Sequence, residues 1–163
     1  MRGELRTDDP TGGPSYFAVL FSLDERRYAL PLIQVERIFR AAEPAPLPKA
    51  PKIVIGLLNI RGKILPVVDP RIRLNLPARD INPNDHFIIA RTSRRTIVMT
   101  TDAVLGVMER PPGELVPAKD VLPGLDYVDG VIKLKDGMIL INDIDRFLSL
   151  EEETVLDEAM GEA

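Results

Sequence analysis

Apolar residues recur in short runs broken by turn residues, never in the long 3.6-residue stripes of extended helices. Tyr16 to Leu23 alternates aromatic or aliphatic residues with small ones, Asp24-Glu25 turns the chain, and Arg26 to Leu32 returns, so the pattern predicts a hairpin. Ile53 to Ile60 and Lys63 to Val68 flank Arg61-Gly62 as a second hairpin. Both of its arms are almost continuously apolar, which predicts cover on both faces. Gly130 to Leu134, the Lys135-Asp136-Gly137 turn and Met138 to Ile141 make a third, since Asp-Gly suits a turn that needs positive φ. Phe87 to Ala90, Thr96 to Thr100 and Val104 to Met108 read as further short strands. Gln34 to Phe39 fits either a helical turn or a short strand.

Breakers divide these runs. Glu43 to Pro51 holds four prolines and must be extended, outside any central strand. Such a run also fits SH3-type peptide ligands, but a stiff surface loop is the simpler reading. Arg79 to Asp85 is a polar link, and Pro111 to Gly124 is broken by proline and glycine. Near the end, Asn142 or Asp143 is placed to cap a short helix running through Leu148. Ser149 and Glu152 have capping-box spacing, with Glu151 to Glu153 at the positive end of a second helix from Leu150 to Met160. Met1 to Pro14 has too little apolar material to order itself and lacks the apolar stretch of a secretion signal. The chain therefore divides into a disordered lead-in at 1–14, a β domain at 15–150 and an acidic helical tail at 151–163. It shows no strict internal repeat. About nine or ten short strands separated by turns favour small barrels over a parallel α/β sheet.

Composition sharpens this picture in three ways. Of the 163 residues 45% are hydrophobic but only 5% aromatic, so Val, Ile and Leu must fill the core. The absence of cysteine excludes disulfides and thiolate metal sites and suits a reducing compartment. Ile53 to Leu58 is far too short an apolar run to span a bilayer, and the expected location is cytoplasmic. The net charge of −4 conceals a division: Arg26 to Arg95 carries 14 basic and 5 acidic residues, whereas Glu151 to Ala163 carries 6 acidic and no basic ones. Such asymmetry marks a nucleic-acid or partner surface, or else charges that simply solvate strand faces. A nucleic-acid-binding barrel would also need stacking aromatics, which are scarce here, so no nucleic-acid partner is expected.

No constellation for catalysis emerges. His86 is the only histidine and stands at the start of an apolar strand, without the further ligands that zinc needs. Asn142, Asp143 and Asp145 lack the longer series, glycine and distal glutamate of a calcium loop, and a helix cap explains them better. There is no GxxxxGK[ST] run and no GxGxxG after a strand. The expectation is a protein without metal, cofactor or enzymatic activity.

The run Gly56-Leu57-Leu58-Asn59-Ile60-Arg61-Gly62, followed by Lys63-Ile64-Leu65-Pro66-Val67-Val68-Asp69, resembles the most characteristic stretch of CheW-type coupling proteins. Arg71 and Leu74 continue that family's D-L-R-x-x-L pattern, with Pro70 where leucine is usual. Phe17 to Leu32 is similar to its opening hairpin, and Val35 with Ile38 to its V-x-x-I segment. Pro44 to Pro51 matches its proline-bearing loop, and Thr101 to Val107 its V-D-x-V-x-x-V. Gly130 to Leu148 matches its closing hairpin and helix. The resemblance spans roughly residues 15–150. It implies a mainly β fold: two small five-stranded, SH3-like β-barrel subdomains around a shared apolar core, with a short C-terminal helix. It also implies a non-catalytic adaptor. Its partners would be the cytoplasmic tip of a chemoreceptor and the regulatory domain of a CheA-type histidine kinase, and it would reach the membrane only through receptor arrays. Flagellar and non-flagellar chemosensory pathways both fit.

The same resemblance nominates residues. Val35, Ile38, Val104 and Val107 would line a receptor-binding groove, since a helix docks on an aliphatic stripe with a polar rim. Arg61 sits at a hairpin tip beside a glycine and would present a forked donor to a carboxylate. Gly56 would allow close backbone approach or a bulge. Arg37 stands where the family usually has glutamate. With Arg40 and Arg61 it would favour an acidic partner.

Overall fold

The computed structural model describes residues 16–110, 115–117, 127–134 and 137–161. The lead-in at 1–14, most of Pro111 to Gly124 and the Lys135-Asp136 part of the third turn lie outside the described residues.

The first hairpin pairs β1 (Tyr16–Leu23) with β2 (Arg26–Pro31). Its two-residue turn has positive φ at both Asp24 and Glu25. Neither is glycine, and the Asp24 N–H is held by donating to the Asp102 carboxylate at 2.8 Å. The ambiguous stretch after it takes both forms in turn. Leu32–Gln34 is a 3-10 turn, and β3 (Val35–Arg40) follows as a strand. The second hairpin, β4 (Val54–Ile60) with β5 (Lys63–Val68), closes through positive φ at Arg61 and Gly62, where the Gly62 N–H donates to Asn59 Oδ1. Next come the short helix α1 (Pro70–Arg73), then β6 (His86–Arg91), β7 (Thr96–Thr101) and β8 (Ala103–Arg110). The three-residue β9 (Leu115–Pro117), β10 (Val128–Leu134) and β11 (Gly137–Asn142) complete the strands, and α2 (Leu150–Ala159) ends the fold.

The strands form two sheets. One has the order β8-β1-β2-β11-β10-β9 and the other β3-β6-β7-β5-β4. The first thus carries a sixth strand, β9, beyond the five expected, formed within the stretch read as broken. In each sheet the middle is a parallel contact between two hairpins: β2 with β11, and β7 with β5. Period-two alternation then sorts the side chains. Ala18, Ala29 and Ile139 fill the interior of the first barrel, and Phe87, Ile89 and Val98 that of the second. The opposite faces, with Val19, Phe21 and Tyr28 from one sheet and Ile88, Ile97 and Met99 from the other, meet in one shared core.

The two barrels reuse one unit. Val54, Gly56, Asp69 and Leu74 correspond at a constant offset to Val128, Gly130, Asp143 and Leu148. Both hairpins shift register between the first valine and the glycine. The Asp69 N–H donates to the Ile53 carbonyl and the Asp143 N–H to the Tyr127 carbonyl, each at 2.9 Å. Each aspartate then caps the following turn by accepting from the N–H two residues on. The two units thus share these four residues and the hydrogen bonds that they make.

The C-terminal elements seal the shared core. Asp143 caps a 3-10 turn over Ile144–Arg146, shorter than the helix expected through Leu148, because Phe147 and Leu148 turn inward to be buried. Ser149 then opens α2 with the expected capping box. Leu156 is fully buried in the shared core, a contribution of about 1.5–3 kcal/mol. Among the described residues no helix is long and apolar enough to cross a membrane.

Candidate functional site

The edge strands β3 and β8, one from each sheet, carry the nominated groove residues. Directly opposed residues of an antiparallel pair share a face, and the register therefore fixes their directions. Val35 opposes Ala90 and Ile38 opposes Ile88, both members of the shared core. Val104 opposes Phe21 and Val107 opposes Val19, also shared-core residues. All four candidates thus look toward the seam between the sheets. Val35 and Val104 pack against the core, while Ile38 is 38% and Val107 57% exposed. Leu105, at the bulge between Val104 and Gly106, adds a further exposed aliphatic.

His86 ties the two edges together. Its Nδ1 accepts from the Val104 N–H at 3.1 Å, so the ring proton sits on Nε2. His86 opposes Arg40 across the β3–β6 ladder. Its imidazole is therefore a structural acceptor linking one sheet to the start of β8, in keeping with the non-catalytic role read from the sequence.

The other nominated residues separate from this strip. Arg37 opposes Ile89, a barrel-interior residue, so it projects from the opposite face to Ile38. Arg61 is at the β4–β5 tip, at the other edge of the sheet from β3. Gly56 is buried: a Cβ on it would lie 2.5 Å from the Ala45 carbonyl oxygen and 2.7 Å from Pro44 Cβ. There the proline-rich loop crosses β4 and pairs Ala45 with Leu57, closing the barrel. The glycine is accounted for by that internal crossing.

Part of the charge asymmetry resolves into intramolecular pairs. Arg73 bonds Glu152, and Arg95 bonds Glu153 and Asp157, so the acidic tail folds back on the basic middle. Arg71, 4% exposed, donates to Asp24 at 2.7 Å and to Asp102 at 2.8 Å, and reaches the Pro77 carbonyl at 3.0 Å. Arg79 bridges Asp102 and Asp85. Burial pushes the Asp102 carboxyl up, but the hydrogen bonds from Arg79 and Arg71 outweigh it and hold the group below its usual range. Five arginines of the basic stretch, counting Arg91 with Glu36, are thereby engaged by carboxylates rather than presented as a basic track. Asp102 links the first hairpin's turn to α1, a role the sequence did not reveal beyond the likeness of Thr101-Asp102-Ala103-Val104 to the family's V-D-x-V. Among the described residues no group of histidine, cysteine or carboxylate side chains is arranged to hold a metal ion.

A family model described as "CheW-like domain" matches residues 18–152. The chain belongs to the CheW-like family. It is a chemotaxis adaptor, a scaffold and not an enzyme. The chemotaxis protein CheW of Thermotoga maritima is 31% identical over 144 residues, covering 85% of this chain and 91% of that protein. CheW of Rhizobium meliloti is 25% identical over 136 residues, covering 82% and 88%. The crystal structure of the scaffolding protein TtCheW from Thermoanaerobacter tengcongensis superposes with a TM-score of 0.76 at 26% identity, covering 84% of this chain and 94% of that one. The CheW fold is thus shown for this chain.

Proposed function

We propose that the seam lined by Val35, Ile38, Val104 and Val107 receives the cytoplasmic tip of a chemoreceptor. In this reading the chain joins that receptor to the regulatory domain of a CheA-type histidine kinase. It acts in the cytoplasm and reaches the membrane only through receptor arrays. The observation that carries the reading is the direction of these four side chains. Two sheets contribute one edge strand each, and both turn aliphatic residues toward the same seam, with Ile38 and Val107 left open to solvent. An amphipathic helix is the partner that suits such a surface, since it presents anchors at i, i+3 and i+4 to a short apolar groove. Nothing in this role asks for a cofactor. Arg37 and Arg61, on other faces of the second barrel, are available to a separate contact, for which the kinase domain is the candidate.

The test uses the full chain, a purified receptor cytoplasmic fragment and the kinase regulatory domain. Val107→Asp and Ile38→Asp place a carboxylate on the exposed part of the strip with little cost to the core. Receptor affinity should fall at least tenfold, as expected for burying an unpaired charge, while kinase-domain affinity and the thermal midpoint stay near wild type. Val35→Asp and Val104→Asp, shown folded by circular dichroism, should behave alike. Undiminished receptor binding by these folded variants would reject the seam as the receptor site.

A further inference from the structure

We infer that Arg40 is the cation that selects the docked partner, by pairing with a carboxylate on a helix lying in the seam. This rests on the seam being the receptor site and adds the charge that the partner must carry. Arg40 opposes His86 on the same face of the β3–β6 ladder on which Ile38 opposes Ile88. The His86 ring on that face reaches across to the Val104 N–H. Arg40 therefore stands at the end of the aliphatic strip, two residues beyond Ile38 and beside the start of β8. It is exposed, and among the described residues it makes no ion pair, whereas its strand neighbour Glu36 is committed to Arg91. Arg37, the residue that the sequence pattern singled out, faces away from the strip with Phe39 and Ile89.

Charge complementarity thus defines the occupant as an amphipathic helix with a Glu or Asp flanking its apolar stripe. The edge of β8 argues for a helix over an added strand. It is bulged at Leu105, and Gly106 has φ +139, with open space where a Cβ would stand, so the edge is not the straight template that strand addition requires.

The experiment titrates the purified receptor cytoplasmic fragment into the full-length wild type, Arg40→Glu, Arg40→Gln, Arg37→Glu and Val107→Asp proteins, at two salt concentrations. Arg40→Glu should weaken binding about tenfold and Arg40→Gln about threefold at low salt, with the difference shrinking at high salt as screening removes the pair. Arg37→Glu should bind as wild type does. A carboxylate-to-lysine change on the fragment should restore binding to Arg40→Glu. Loss of binding in Val107→Asp with none in Arg40→Glu would overturn this inference and leave the seam intact. Equal losses in Arg37→Glu and Arg40→Glu would also overturn it, since the charge would then act without regard to face. Unchanged binding in Val107→Asp would instead reject the seam itself.

Discussion

Replacing Gly56 by alanine tests how the second barrel closes. The added Cβ would stand 2.5 Å from the Ala45 oxygen, well inside contact distance, and φ +155 is a conformation that L side chains rarely adopt. The obstructing atom is backbone, so no side-chain rotation relieves it. Moving Ala45 away sacrifices two hydrogen bonds, Ala45 N–H to Leu57 O at 2.9 Å and Leu57 N–H to Ala45 O at 2.8 Å. Each is worth about 1 kcal/mol net, and the backbone strain adds roughly 1–3 kcal/mol. The expected loss is therefore roughly 3–5 kcal/mol, which for a domain of this size lowers the melting midpoint by about 10 °C. Urea unfolding with a constant m-value would measure it, and hydrogen exchange at Ala45 and Leu57 would locate it. Gly62→Ala is the control: φ is +88 there but nothing lies within 4 Å of the new Cβ, so only strain of about 1 kcal/mol remains. If the two substitutions cost the same, or if Gly56→Ala costs under about 1 kcal/mol, the close approach does not hold the barrel shut.

Two further outcomes follow from the buried polar groups. Asp102→Asn removes one of the two carboxylates paired with the buried Arg71, leaving Asp24 at 2.7 Å, and should cost roughly 1.5–3 kcal/mol at pH 7, the worth of a charge-assisted hydrogen bond. Because the folded Asp102 pKa is depressed, its contribution is complete above the unfolded value of about 3.9 and fades as pH falls through the folded value. The gap between wild type and variant should therefore narrow from pH 5 to pH 2 in urea titrations, and a constant gap would contradict the assignment. His86→Leu strands the Val104 N–H and should destabilise by about 1–2 kcal/mol. His86→Asn keeps an acceptor near the Nδ1 position and should recover most of that loss in thermal melts, whereas equal losses in both would mean that packing, not the hydrogen bond, is what the imidazole supplies.

What the sequence revealed depended on whether the signal was local. The first two hairpins fall where turn chemistry put them, because a two-residue loop fixes register by itself. The capping box at Ser149 was equally legible, since its partners are three residues apart. Gln34 to Phe39 stayed open because a 3-10 turn followed at once by a bulged strand has neither period for long enough. The short turn after Asp143 was overestimated, since the burial of Phe147 and Leu148 is a tertiary event. The strip residues were nominated by family position, but their common direction required the ladder register. Without it, Arg37 and Arg40 looked interchangeable.

The repeated hairpin unit explains why an open aliphatic seam arises in this fold at all. In each sheet two hairpins meet in a parallel contact in the middle, and β3 and β8 each stand at one end of the strand order, with β4 and β9 at the other. Edge strands with exposed aliphatic residues invite unwanted pairing. Here the two edges belong to different barrels and both direct their aliphatic residues toward the shared core, so neither offers a free flat sheet. The bulge at Leu105 and the glycine after it bend β8 out of strand geometry, and His86 fixes its start against the other sheet. What remains accessible is a face rather than an edge. A face of this kind can take a helix without risking growth of the sheet, which is what a scaffold needs if it is to bind other proteins and not its own copies.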